Sequence, residues 1–139
     1  MSYLLDTNVV SESEQVRPNP AVLKWLAARD DTNIYLSALT VGEIRRGIEM
    51  LESGKKKAHL RNWLEYIRTT FSQRILPVTE STFEVWGVMF AAFERRGMRR
   101  PIFDSLLEAT ALEHDLILVT RNVRNFQGSS VTILNPWED

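Results

Sequence analysis

Asp6, Glu43 and Asp104 are the residues of this 139-residue chain whose type and placement could do chemistry together. Asp6 directly follows the apolar run Tyr3-Leu4-Leu5, Glu43 falls in the first turn of a helix expected after a second apolar run, and Asp104 falls in the first turn of a helix expected from Pro101. A fourth polar residue, Asn122, follows the apolar run Leu116-Ile117-Leu118-Val119. Each has a plain local reading. Asp6 could cap the helix after it, Thr40-Val41-Gly42-Glu43 has the form of a capping box, and Asp104 could complement a helix N-terminus. Convergence would change their meaning. Two carboxylates about 4 Å apart repel by roughly 4 kcal/mol at an effective dielectric of 20, so three acids meeting in one cleft call for a compensating cation. Oxygen donors without His or Cys favour Mg2+, or Mn2+. A hydrated cation so held can deprotonate a water and stabilise charge on a phosphoryl oxygen, which is the chemistry of phosphodiester hydrolysis. Thr7, Asn8, Ser37 and Thr120 are placed to hydrogen-bond such ligands from behind, or to satisfy local backbone.

The acids can meet only if the elements that carry them end at one place. Tyr3–Leu5 reads as a buried strand, Ile34-Tyr35-Leu36 as a second, Ile75-Leu76-Pro77-Val78 as a third interrupted by its proline, Leu116–Val119 as the clearest, and Val131-Thr132-Ile133-Leu134 as the last. Asn19-Pro20 predicts an N-cap and first helical position, with Val22, Trp25 and Leu26 on one helix face. Thr40 is expected to open a helix carrying Val41, Ile44, Ile48 and Leu51 that stops at Ser53-Gly54. Long helices are expected from Lys55, with Leu60, Trp63, Leu64, Ile67 and Phe71 on one face, and after Thr79, with Phe83, Trp86, Phe90 and Phe93 before Gly97. The helix from Pro101 is expected to place Phe103, Leu106, Leu107 and Thr110 on one side. Strands alternating with helices predict an α/β domain, with a mostly parallel sheet covered by helices on both faces. Ligands of such sheets bind in the crevice at the carboxyl ends of the strands, where these acids fall.

Composition narrows the function further. A net charge of −1 hides a segregation: residues 1–54 carry −3, residues 55–100 carry +6 and residues 101–139 carry −4. The bases cluster as Arg45-Arg46, Lys55-Lys56-Lys57, Arg95-Arg96 and Arg99-Arg100, cations that an anionic pocket needs around it to hold nucleic-acid backbone. The absence of cysteine excludes disulfides, zinc-thiolate sites and thiol nucleophiles. His59 and His114 have no acid at nucleophile-like spacing and read as surface or structural residues, and Trp25, Trp63, Trp86 and Trp137 as core or interface. No apolar run is long enough to span a bilayer and the N-terminus lacks signal-peptide character, so a cytoplasmic location is expected.

Leu4-Leu5-Asp6-Thr7-Asn8, the segment Ser37 to Gly47 with Glu43, Asp104-Ser105-Leu106-Leu107-Glu108-Ala109-Thr110-Ala111 and Leu118-Val119-Thr120-Arg121-Asn122 resemble the successive motifs of PIN-domain ribonucleases. The likeness is to the VapC toxins, in their FitB-like branch, and extends to the terminal Asn135-Pro136-Trp137. It implies a single PIN domain over residues 1–139 and an Mg2+- or Mn2+-dependent endoribonuclease that is the toxin of a toxin–antitoxin pair. It also implies a VapB-like antitoxin, a homodimer, and operator DNA bound only through the antitoxin. By position, Asp6, Glu43 and Asp104 match the metal-holding acids, and Asn122 stands at a fourth catalytic position. There the chain departs from the family, which often has an acid where Asn122 or Asn125 stands; an asparagine carbonyl ligates without charge. Arg45, Arg46, Arg99 and Arg100 are the candidates for RNA backbone, and Thr7, Asn8 and Thr120 for supporting bonds. Two other readings are a catalytically weakened module that keeps the antitoxin interface, and a nuclease acting on DNA.

Overall fold

Tyr3-Leu4-Leu5 is buried along its whole length because it forms the middle strand of five. The computed structural model describes residues 1–138. Strands β1 (Tyr3–Leu5), β2 (Ile34–Ser37), β3 (Ile75–Leu76), β4 (Ile117–Val119) and β5 (Ile133–Leu134) lie in the order β3-β2-β1-β4-β5, every pair parallel. Six helices flank the sheet: α1 (Thr7–Val10), α2 (Pro20–Ala27), α3 (Ala38–Glu49), α4 (Lys55–Thr70), α5 (Glu80–Arg95) and α6 (Ile102–Glu113). The α/β fold with a parallel sheet covered on both faces is the architecture expected from the sequence. Among the described residues no helix is long and apolar enough to cross a membrane.

The two-residue period of the strands divides the core. Tyr3, Leu5, Ile34, Leu36 and Val119 point to one face and pack with Val9, Val22, Ile44, Ile48, Leu64 and Ile67 from α1 to α4. Leu4 and Leu118 point to the other face and pack with Leu107 and Ala111 of α6, and with Phe126. Helix α5 lies outside α6, where Trp86 donates its Nε1–H to the Ser105 hydroxyl at 2.9 Å and stacks on Phe90. Trp25 packs edge-on to Tyr3 with ring centroids 5.1 Å apart, an aromatic of the core as expected.

Local signals set most element ends. Asn19 caps α2 through the Ala21 N–H, with Pro20 in the first turn. Thr79 and Thr82 cap α5 reciprocally, and Gly97, at φ 71°, closes it: the Gly97 N–H bonds the Glu94 carbonyl and the Met98 N–H the Phe93 carbonyl. Four expectations need correction. Strands β3, β4 and β5 are shorter than their apolar runs, β3 stopping before Pro77, which has no N–H to pair. Helix α3 begins at Ala38 because the Ser37 hydroxyl accepts the Leu39 N–H at 3.0 Å; Thr40-Val41-Gly42-Glu43 is therefore no capping box, and Glu43 lies in the second turn. That helix ends at Glu49, before Ser53-Gly54. Phe103 does not share the buried side of α6 with Leu106 and Leu107 but stands 55% exposed.

Beneath the start of α6 lies a buried ion pair. The Arg100 guanidinium donates to both Glu108 carboxylate oxygens, at 2.9 and 3.1 Å, and to the Gln127 carbonyl at 2.8 Å, with the Phe93 ring 4.1 Å below its carbon. Arg100 thus ties the loop before α6, the body of α6 and the loop after Phe126 together. Its burial removes it from the residues that could touch RNA backbone, correcting that assignment. Removing one partner leaves an uncompensated buried charge: Glu108→Ala is expected to lower unfolding free energy in urea by about 3–5 kcal/mol, whereas Arg100→Met with Glu108→Leu is expected to recover most of that loss.

Candidate functional site

The chain runs from β1 outward through β2 and β3 on one side, then crosses to β4 and β5 on the other. The carboxyl ends of β1 and β4 are therefore the place where the order of connection reverses and a crevice opens. Asp6 is the first residue past β1; its N–H bonds the Val119 carbonyl at 2.9 Å, continuing the β1–β4 ladder by one step. Thr120 is the first residue past β4, and helix α6 opens over the same end, with Asp104 in its first turn.

Asp6 is buried and held by both oxygens. Its Oδ1 accepts the Thr7 N–H at 2.7 Å and its Oδ2 accepts the Thr120 hydroxyl at 2.8 Å. The Thr120 oxygen in turn accepts the Asn122 N–H at 3.0 Å, so its one proton is directed at Asp6. Asp104 is half-buried, and its Oδ2 accepts the Asn125 amide at 2.9 Å. Burial pushes both carboxyls above the ordinary aspartate value. For Asp6 the bonds from Thr120 and Thr7 oppose that rise and the charge of Glu43 adds to it; for Asp104 the next cause is the charge of Asp6. Repulsion between converging acids is therefore present, Glu43 acting on Asp6 and Asp6 acting on Asp104.

Glu43 reaches the same cleft indirectly. Its Oε1 accepts the Thr7 hydroxyl at 2.8 Å, so Thr7 joins the two carboxylates, the N–H on Asp6 and the hydroxyl on Glu43. Among the described residues no group of three acids or histidines is drawn close enough to form a ready-made metal cage. Asn8 accepts the Arg121 N–H at 3.3 Å and ties the turn after β1 to the loop after β4. Ser37 caps α3 and so positions the helix rather than the acids.

The amide at the acids is that of Asn125, not Asn122. Asn122 is exposed and contributes its backbone N–H to Thr120, while the short helical turn Val123–Phe126 brings Asn125 back onto Asp104. The spacing of 104 and 125 carries no periodicity that would have revealed this contact. Arg45 is occupied with Glu49 and Glu65, each at 3.4 Å, whereas Arg46 lines the cleft and Arg99 is exposed beside α6. His59 does have an acid partner, Glu14 at 2.7 Å, brought from 45 residues away; both lie outside the acid cluster. The Thr7–Glu43 bridge stands between two open cavities. One, of about 680 Å3, is lined by Leu39, Gly42, Arg46, Val78 and Phe103; the other, of about 370 Å3, by Glu14, Lys56, Leu60 and Trp63.

A sequence profile described as PIN domain matches residues 3–127. The chain belongs to the PIN-domain family. It is 38% identical over 137 residues to Toxin FitB of Neisseria gonorrhoeae, covering 98% of this chain and 99% of the relative. It is 33% identical over 136 residues to VapC ribonuclease Y4jK of Sinorhizobium fredii, covering 97% of both. The solved structure of FitAB bound to an IR36 DNA fragment superposes with a TM-score of 0.94 at 36% identity, covering 99% of this chain and 96% of that one. The parallel sheet and its crevice are thus those of a PIN domain of the FitB and VapC kind.

The oxygen donors fit a hard divalent cation. Each Asp6 oxygen and Asp104 Oδ2 accepts one recorded hydrogen bond, which leaves lone pairs for a cation, and no His or Cys competes. Two direct carboxylates completed by water is the arrangement Mg2+ prefers to a full protein cage. The raised carboxyls also fix a pH dependence. A folded state that holds these protons more tightly than the unfolded chain is most stable with both carboxyls protonated, and loses stability as pH rises from the ordinary value of 3.8 through the raised ones. Metal-free Asp104→Asn is therefore expected to unfold at a temperature no lower than the parent at pH 7, with the parent gaining on it as pH falls toward 4. Thr120→Val is expected to raise the Asp6 pKa further, read by carboxyl 13C NMR titration.

Proposed function

We propose that this chain is the ribonuclease toxin of a toxin–antitoxin pair, hydrolysing RNA phosphodiester bonds with a divalent cation, Mg2+ or Mn2+, held by Asp6 and Asp104 with Glu43 beside them. The observation that carries the reading is the convergence of a buried aspartate, Asp6, and a half-buried one, Asp104, at the crevice of a parallel sheet, Asp6 just past β1 and Asp104 in the first turn of α6. Its relatives named Toxin FitB and VapC ribonuclease support the activity, and the FitAB assembly with DNA supports an antitoxin through which operator DNA is bound. Bound there, the cation supplies Lewis acidity toward the phosphate and lowers the pKa of water.

The chain's own residues supply the rest. The Thr120 hydroxyl and the Thr7 N–H favour the ionised form of Asp6 against its burial, and the Asn125 amide does the same for Asp104. Glu43, its Oε1 held by Thr7, has Oε2 to take a proton from the attacking water. Arg46, on the cavity beside Glu43, and the exposed Arg99 are the cations this reading assigns to RNA backbone. A homodimer is supported by the apolar surface left on α4 and α5, where Tyr66 is 67%, Phe83 49% and Val88 75% exposed. The cytoplasm, where its RNA substrate lies, is the location this reading requires.

A second reading has an observation in its favour: an amide rather than an acid faces Asp104, so the cluster carries less charge than a four-acid site and the chain acts mainly by binding its antitoxin. Incubating the purified protein with total RNA, and in parallel with DNA, with Mg2+ or with EDTA separates them. Metal-dependent RNA fragments that fall at least a hundredfold in Asp104→Asn and Asp6→Asn, with unchanged circular dichroism, are expected. Cleavage by Asp104→Asn at the wild-type rate would falsify the assignment of the acids. Mg2+ or Mn2+ at millimolar concentration is also expected to raise the melting temperature of the parent at pH 7.5, less at pH 5 where protons compete, and not that of Asp6→Asn.

A further inference from the structure

The cavity next to Glu43 has a feature that the acids do not explain. Residues Ser105 to Ala111 of α6 are all buried, yet Phe103, beside Asp104 in the chain, stands 55% exposed on the cavity wall. An aromatic ring that fills no core and adjoins a phosphate-handling acid is a surface on which a flat group can stack. The opposite wall is α3, and it is opened by Gly42: a Cβ there would meet no atom within 4 Å. Glycine inside a helix is unfavourable for the helix, so this bare wall adds room at the cost of local propensity. Leu39 and Val78 make the cavity predominantly apolar, while Arg46 and Glu43 stand on its lining as one cation and one hydrogen-bond acceptor.

We propose that this cavity takes one unpaired nucleobase of the substrate strand, the Phe103 ring being its stacking surface and the Arg46 guanidinium the contact to an adjoining phosphate. The proposal rests on the nuclease reading and deepens it. An apolar cavity with an aromatic wall fits the face of a base, its single arginine fits the backbone, and the same cavity is lined by Thr7 and Glu43, with Thr7 next to Asp6 and Phe103 next to Asp104 in the chain. A paired base enters only by giving up its pairing and stacking, a cost that an unpaired base does not meet, so the site favours single-stranded segments, loops or bulges. A protein side chain from a partner would use the apolar wall but would not need the arginine next to the acids.

The test compares octamers of uridylate, octamers of adenylate and an octamer of abasic ribose phosphates, by fluorescence anisotropy, on full-length protein carrying Asp104→Asn so that no cleavage occurs. The base-bearing octamers are expected to bind about tenfold more tightly than the abasic one, the order of effect of stacking one base. Adding Phe103→Ala is expected to remove that difference without changing abasic affinity, and Phe103→Trp to retain it. Gly42→Leu, which projects into the cavity and suits a helix, is expected to remove it with no drop in melting temperature. Equal binding of base-bearing and abasic octamers, or an equal fall in both with Phe103→Ala, overturns the subsite. So does Phe103→Ala that leaves octamer binding intact while weakening a complex with the antitoxin. Cleavage of total RNA by the parent protein is scored separately. A parent that cleaves but fails the octamer comparison loses only the subsite; discrimination between octamers without cleavage supports the subsite and removes the nuclease reading.

Discussion

The repulsion between Asp6 and Asp104 is the constraint that the surrounding structure has to withstand. Both carboxyls are pushed up by burial, and Asp104 further by the charge of Asp6, so a looser scaffold would let them separate or take up protons. Asp6 is fixed by the ladder bond from its own N–H to Val119 and by two bonds to its carboxylate. Asp104 is fixed by α6, which Arg100 and Glu108 clamp to the loop that carries Asn125. A buried ion pair is poor value as a source of stability, but it is directional, and here it sets the distance between a helix and a loop. The same ion pair acts on Asp104 by field, Arg100 lowering its pKa and Glu108 raising it.

Charge counts along the chain overstate the basic surface available to a polyanion. Much of the excess between residues 55 and 100 is already paired. Glu49 gathers Arg45, Lys57 and Arg61, and the Arg61 bonds first, then the surrounding cations, hold its carboxyl down at about 2. Arg74 donates to the Ile34 and Thr70 carbonyls, and Arg100 is buried. Arg46 lines the cavity beside Glu43, Arg121 and Arg124 stand exposed on the loop that carries Thr120 and Asn125, and Arg99 is exposed before α6. On the nuclease reading, so few free cations beside the acids would orient a strand without holding it by charge alone, and recognition would fall to contacts with the bases.

The sequence made the strands, the α/β class and the acids legible because these depend on local pattern. A buried parallel strand is a short apolar run, and a residue just past it lies at the carboxyl edge whatever the rest of the fold does. Asp6 and Thr120 were placed by that rule alone. The corrections share a different cause. Ser37 and Thr40 are both competent N-caps, and the choice between them was made by where β2 stops, where Ser37 pairs with Leu76 of β3, 39 residues further along the chain. Phe103 fits the helical stripe of α6 yet stands outside the core, because the stripe is filled from Ser105 onward. Arg100 and Asn125 act through contacts with Glu108 and Asp104 that no periodicity encodes, and Glu14 meets His59 for the same reason.

The amide of Asn125, set against Asp104, bears on how many cations the cleft could hold. Asp6 and Asp104 together carry the charge that one divalent ion neutralises, and Glu43 adds a third negative charge on the far side of Thr7. An amide at Asp104 supplies a hydrogen-bond donor to Oδ2, which occupies a lone pair of the ligand and adds nothing to the field that attracts a second cation. A second ion would therefore meet Glu43 and neutral oxygens, too little charge to offset the dehydration that Mg2+ resists. On the nuclease reading the chemistry would then fall to one cation and to Glu43, with Thr7, among the described residues, hydrogen-bonded to both Asp6 and Glu43. That places an unusual demand on a threonine at the first position of a one-turn helix. Its N–H must stay on Asp6 while its hydroxyl holds Glu43, and any rotation about χ1 releases Glu43 while leaving Asp6 capped.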